Sequence, residues 1–156
     1  MTAGKSAAAE PIAAGLAVGA TLEPVTCRID RADLVRYAGA SGDFNPIHWS
    51  ERTARAVGLP TVLAHGMLLM ALAGRAVGEW TDAPLTSFDM RFVRPGFVPD
   101  DEVGLPIEIR GRVSERDAGR VRIVLTVHAA AGATLARAAA EVDEAAEMPA
   151  AERGFA

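Results

Sequence analysis

Apolar residues recur along this chain at two different spacings, and the change of spacing divides it into elements. From Leu22 to Ile29 a β-branched run of Val25, Thr26 and Ile29 reads as a first strand. Asp30 stands as a helix cap. Leu34, Val35, Tyr37 and Ala38 follow at near-helical spacing until Gly39 and Gly42 break it, which predicts a helix over Arg31 to Ala40. Ser50 caps a second short helix, Glu51 to Val57, ended by Gly58 and Pro60. Between the two helices, Ser41 to His48 is dense in turn formers, and Pro46 pushes Asn45 away from helical angles, so a structured loop is expected.

From Leu63 to Val77 the chain is apolar almost all round, and a helix without a polar face has to be enclosed by other structure. Beyond Pro84 the pattern turns extended, with strands expected at Leu85 to Val93, Val103 to Val113, Val121 to Ala130 and Thr134 to Val142. In the third of these, Val121, Ile123, Leu125, Val127 and Ala129 alternate with Arg122, Thr126 and His128, as in a half-buried antiparallel strand. Propensity alone would make Ala136 to Glu141 helical; its place after the turn at Gly132 assigns it to a strand. An antiparallel sheet curled around one long helix satisfies this list, an α+β domain of the hot-dog type.

The 156 residues suit a single domain, read here as a flexible leader over 1–19, the domain over 20–142 and a flexible tail over 143–156. Aromatic residues make up 5% and the net charge is -4, which offers neither a base-stacking platform nor a general phosphate-backbone surface, so nucleic acid is not an expected partner. The longest nearly uncharged stretch, Leu59 to Gly74, is too short for a membrane span, and Glu10 and Pro11 interrupt any secretory apolar run. The one cysteine, Cys27, can make no intramolecular disulfide, and a reducing cytoplasm is the expected location.

Two clusters could carry chemistry. Asp43 and His48 flank Asn45-Pro46, a turn able to fold both side chains toward one point, where a carboxylate and an imidazole can hold and activate a water. The alternative is purely structural, with Asp43 capping a turn and His48 packing beside Trp49. At Ala64-His65-Gly66-Met67 the long helix begins, and unpaired backbone N–H groups at a positive dipole end could hold a developing oxyanion, with Gly66 letting a ligand approach closely. Equally, Gly66 could relieve crowding and His65 cap the helix. Cys27 and His128 lie on expected strands and enter neither cluster. The spacing of the three histidines matches no common metal motif, and no phosphate-binding glycine loop is present, so no metal is expected.

The run Tyr37-Ala38-Gly39-Ala40-Ser41-Gly42-Asp43-Phe44-Asn45-Pro46-Ile47-His48 resembles the signature of the MaoC-like (R)-specific enoyl-thioester hydratases. Ala64-His65-Gly66-Met67-Leu68 stands where that family begins its central helix, and Arg91-Phe92 with Pro95, Val98 and Asp101 resembles its next segment. Through Asn45 to Trp49 and Ala64 to Leu68 the chain is especially similar to catalytic subunits of the family's heterodimeric (3R)-hydroxyacyl-carrier-protein dehydratases.

The resemblance implies reversible interconversion of a trans-2-enoyl thioester and its (3R)-3-hydroxyacyl thioester. Asp43 and His48 would be catalytic, the Gly66 amide would polarise the thioester carbonyl, and Asn45 and His65 would orient the loop or contact substrate. No cofactor is implied beyond the CoA or acyl-carrier arm of the substrate. The implied partner is a second hot-dog subunit, identical or not, and an acyl carrier protein is a further candidate. Two positions depart from the family's pattern: Ser50 replaces an acidic residue, and the helix after Gly66 lacks Ser or Thr. The rival functions are a hot-dog thioesterase, disfavoured because the helix has no acid before Glu79, and a non-catalytic acyl-binding subunit, disfavoured because both proton-transfer residues are present.

Overall fold

The structure, a computed structural model, describes residues 17–129 and 132–146; most of the expected leader and the end of the expected tail lie outside them. The strands are β1 Thr21–Ile29, β2 Leu85–Phe92, β3 Leu105–Asp117, β4 Arg120–Ala129 and β5 Thr134–Asp143. The helices are α1 Arg31–Ser41, α2 Glu51–Ala56 and α3 Gly66–Trp80, with a 3-10 turn at Pro46–His48 between α1 and α2. All strand pairs are antiparallel in the order β1-β3-β4-β5-β2, giving the hot-dog arrangement of one sheet against one long helix.

Local chemistry sets the ends of several elements. Asp30 and Asp33 form a reciprocal capping box at the start of α1, and Gly42 ends that helix at φ 76°, a left-handed conformation that costs glycine little. Asp101 Oδ1 accepts from the amides of Val103 and Gly104, at 2.9 and 2.7 Å, so the chain turns there and β3 begins at Leu105, two residues beyond its expected start. In β5 tertiary pairing overrides helix propensity: the strand lies between β4 and β2 and buries Ala136, Ala138, Ala140 and Val142 in alternation. Past the expected boundary at Val142 the chain is still held to the sheet, because the Glu144 amide donates to the Gly119 carbonyl and its carboxylate pairs with Arg116 at 2.6 Å.

The central helix departs from expectation at its start and in its enclosure. Residues 62–64 are extended and pair with 96–98, through Ala64 N–H to the Gly96 carbonyl and Val98 N–H to the Val62 carbonyl, so α3 begins at Gly66 rather than Leu63. The face of α3 toward the sheet buries Leu69, Ala73, Ala76, Val77 and Trp80, whereas Met67 is 57% exposed and Ala71 is open as well. Among the described residues, therefore, one face of the helix is enclosed and the side carrying Met67 and Ala71 is open.

Trp80 anchors the helix's far end. Its indole N–H donates to the Glu23 carbonyl at 2.7 Å, and its ring packs against Gly111, where a Cβ would come within 2.6 Å of two ring carbons. A buried, hydrogen-bonded indole has little freedom to move aside. Gly111→Ala is therefore expected to cost about 1–3 kcal/mol through overpacking, measured by the midpoint of chemical denaturation; a stability equal to that of the parent would contradict this packing.

Candidate active site

The expected loop folds as a chain of short-range hydrogen bonds. Ser41 Oγ donates to the Tyr37 carbonyl at 2.7 Å and accepts from the Asp43 amide at 3.2 Å, so the chain leaves α1 in a fixed direction. Asp43 Oδ1 accepts from the Asn45 amide at 3.2 Å, and Asn45 Oδ1 accepts from the Ile47 amide at 3.3 Å, starting the 3-10 turn with Pro46 at its first position. Ser50 then caps α2 by accepting from the Thr53 amide. In the position where the related pattern carries an acid, the hydroxyl performs the capping.

This folding brings Asp43 and His48 together. The second carboxylate oxygen of Asp43, Oδ2, faces His48 Nε2 at 3.9 Å, with the Asp43 side chain half exposed and that of His48 buried. His48 Nδ1 lies 2.8 Å from the Leu63 carbonyl; a carbonyl can only accept, so Nδ1 carries the proton and neutral His48 presents a lone pair at Nε2. Two acceptors facing each other across 3.9 Å are not directly bonded. A water to one side of the line joining them, roughly 2.8 Å from each, can bridge the two, one proton toward the carboxylate and one toward the imidazole.

His65 lies directly behind this pair. Its ring stacks on His48 with centroids 3.8 Å apart, and the Tyr37 ring lies tilted to it with centroids 5.0 Å apart. Its Nε2 lies 3.1 Å from the Asp43 carbonyl, again fixing the proton on that nitrogen. Burial pushes the His65 imidazole below the ordinary histidine range, outweighing the Asp43 carbonyl, which works the other way, and the adjacent His48 adds to the depression. One donor atom each from Asp43, His48 and His65 falls within 4.8 Å of the others, a spacing a small cation could use. One nitrogen of each ring is already engaged with a carbonyl, which leaves Asp43 Oδ2 and His48 Nε2, facing each other, and the buried His65 Nδ1 without a hydrogen bond.

Gly66 opens α3 immediately after His65, which occupies the cap position without a side-chain cap bond. Among the described residues no acceptor is bonded to the Gly66 or Met67 amides, so the helix start offers free N–H groups. A cleft of about 350 Å³ holds His48, Gly66, Leu69, Phe92, Arg94 and Gly96 in its walls. The Phe92 ring packs onto the Gly66 Cα, where a Cβ would stand 3.0 Å from the ring edge. Both readings of that glycine therefore hold at once: it relieves crowding, and it borders the cleft. A groove of about 390 Å³ between β1, α1 and α3, lined by Cys27, Tyr37, Leu68, Leu72 and Arg75, is slightly larger but contains none of Asp43, His48 and Gly66.

The remaining sequence candidates lie apart from the pair. His128 bonds Thr126 Oγ1 on β4, and Cys27 is half-buried in β1, where desolvation raises its thiol pKa and keeps it protonated. Sequence reasoning did not single out the Leu63 carbonyl, Tyr37, Phe92 or Arg31. Tyr37 and Phe92 stand in the segments that carry the family resemblance, but without a role of their own; Arg31 binds the Val98 carbonyl, Glu51 and Thr61 and so ties α1 to α2 on either side of the loop.

The sequence profile of the MaoC like domain matches residues 12–131. The chain belongs to the MaoC-like domain family. The 3-hydroxybutyryl-CoA dehydratase of Methylorubrum extorquens is 30% identical over 115 residues, covering 72% of each protein. The 3-hydroxyacyl-thioester dehydratase X of Mycobacterium tuberculosis is 38% identical over 73 residues, 46% of this chain and 25% of that protein. Among solved structures, the R-hydratase PhaJ1 from Pseudomonas aeruginosa is 29% identical, with a TM-score of 0.72 over 90% of this chain and 95% of that one. A MaoC-like dehydratase is 36% identical with a TM-score of 0.78, covering 82% of this chain and 40% of that one. The chain thus spans a quarter of the mycobacterial relative and well under half of that last structure. Among the described residues no helix is long and apolar enough to cross a membrane.

The frame holding the MaoC-like loop is itself charged. Glu51 accepts from Thr61 and from Arg31, both at 2.9 Å, and the Thr61 hydroxyl first and Arg31 second hold its carboxyl below the ordinary glutamate range against partial desolvation. A depressed folded-state value means its stabilisation is complete above the ordinary value of about 4.3 and is lost as pH falls through the lower folded value. Glu51→Gln is expected to flatten the fall of stability below that pH, read from denaturation midpoints across the acid range. An unchanged acid slope would contradict the role given to this carboxylate.

Proposed function

We propose that this chain is an (R)-specific hydro-lyase, interconverting a trans-2-enoyl thioester and water with the (3R)-3-hydroxyacyl thioester. The observation that carries the reading is the facing pair of acceptors Asp43 Oδ2 and His48 Nε2, 3.9 Å apart and within reach of one bridging water, with His48 sharing one cleft with Gly66 at the free N-terminus of α3.

In the hydration direction, a water held by Asp43 and His48 gives one proton to His48 Nε2 while its oxygen bonds to C3. The C2–C3 π pair moves toward the thioester carbonyl, and the resulting enolate oxygen is held by the Gly66 N–H, a donor already oriented at the positive end of a helix. The enolate then collapses, and the proton taken from water is returned to C2, leaving site and charge as they began. Dehydration runs the same steps backward. Asn45 works as the loop-orienting residue, since its Oδ1 accepts from the Ile47 amide.

The thioester is carried on CoA or on the phosphopantetheine of an acyl carrier, and this chemistry asks for no further cofactor or metal. We further propose that the chain works paired with a second hot-dog subunit, identical or different: β2 is an edge strand, and Leu85 and Phe92 on it are 44% and 46% exposed. A thioesterase would require a carboxylate facing the carbonyl from the helix, but Glu79 lies at the far end of α3 and is paired with Arg75 at 3.1 Å.

The test follows the enoyl absorbance of crotonyl-CoA together with free thiol and product stereochemistry. Expected are loss of the enoyl band, no thiol, and the (3R) product, with Asp43→Asn and His48→Ala each slower by about 10²- to 10⁴-fold. Thiol release, or near wild-type turnover in either variant, would overturn the reading.

A further inference from the structure

His65 touches both members of the pair without facing the gap between them. Its Nε2–H donates to the Asp43 backbone carbonyl at 3.1 Å, and its ring lies face to face with His48, the planes 22° apart. The residue is 1% exposed, and its Nδ1 is buried without any hydrogen-bond partner. An orphaned buried acceptor is costly and uncommon in folded proteins.

We propose that His65 is a positioning residue: a ring held permanently neutral, which locks the His48 ring plane to the Asp43 backbone so that the gap between them keeps its size while the charge on His48 changes. The proposal rests on the hydro-lyase reading of Asp43 and His48 and goes beyond it.

The orphaned nitrogen is what the neutral state requires. A second proton, on Nδ1, would be a buried donor with no acceptor, on a ring 3.8 Å from one that must itself become cationic during turnover. A neutral π face attracts that transient imidazolium, whereas a second cation would repel it. The charged and titratable groups around the stack are few. The loop supplies Asp43 and the 3-10 turn His48; α1 supplies Tyr37, tilted 56° to the His65 ring, and the first turn of α3 is uncharged. The 93–96 segment brings Arg94 to the cleft wall on the His48 side.

Two substitutions in the full chain separate the two contacts. His65→Gln retains an N–H for the Asp43 carbonyl but removes the stack; His65→Phe retains the stack but removes the donor. Both are expected to lower kcat by about 100-fold, the scale of a small misplacement of reacting groups, with KM changed far less and the melting temperature near that of the parent. Nitrogen-15 spectra of the parent are expected to show His65 protonated at Nε2 alone from neutral pH down to the onset of acid unfolding. If both variants keep the parent's kcat while Asp43→Asn and His48→Ala are inactive, the positioning role is overturned and the hydro-lyase reading stands. Full rate in Asp43→Asn or His48→Ala would overturn both. Should the substitutions prevent folding, the spectra decide: a proton on Nδ1 at neutral pH, in either charge state, overturns the proposal.

Discussion

The site depends on one hydrogen bond, from His48 Nδ1 to the carbonyl of Leu63, 2.8 Å long. It selects the tautomer that leaves Nε2 free, and together with the Leu63 N–H bond to the Ile47 carbonyl it ties the loop to the strand-like segment 62–64. That segment is itself paired to 96–98, so the loop, the approach to α3 and the 93–98 connection are held as one unit. Without this bond, His48 could turn its donor toward Asp43 and the two groups would bond to each other, closing the space for water.

The fold supplies what the loop cannot. The sheet buries one face of α3 and fixes its axis, with Trp80 locked over Gly111 at the far end and Gly66 under Phe92 at the near end. The helix start is thereby held beside His48, and its unpaired amides become a fixed positive site in place of the frayed end of a free helix. Among the described residues the same geometry leaves Met67 and, on the edge strand β2, Leu85 and Phe92 exposed.

Much of this was legible in the sequence because local chemistry decided it. Asp30 and Ser50 cap the helices they precede, the alternation from Val121 to Ala129 marks β4, and the turn formers between Ser41 and His48 mark the loop. What escaped the sequence was decided by distant partners. The start of α3 moved three residues because 62–64 pair with 96–98, and the apolar circumference of that helix implied an enclosure that the described residues provide on one face only. Backbone groups such as the Leu63 carbonyl carry no residue signature at all. The Tyr37, His65 and His48 stack joins residues from α1, the start of α3 and the 3-10 turn, which no spacing rule connects.

The central claim, that water is activated between Asp43 and His48 and added at C3, is most directly tested by incubating the protein with a short trans-2-enoyl-CoA in oxygen-18 water and locating the label. The account predicts label in the C3 hydroxyl of the (3R)-3-hydroxyacyl thioester. Label in the carboxylate of a released acid, or a turned-over product without label at C3, would contradict it.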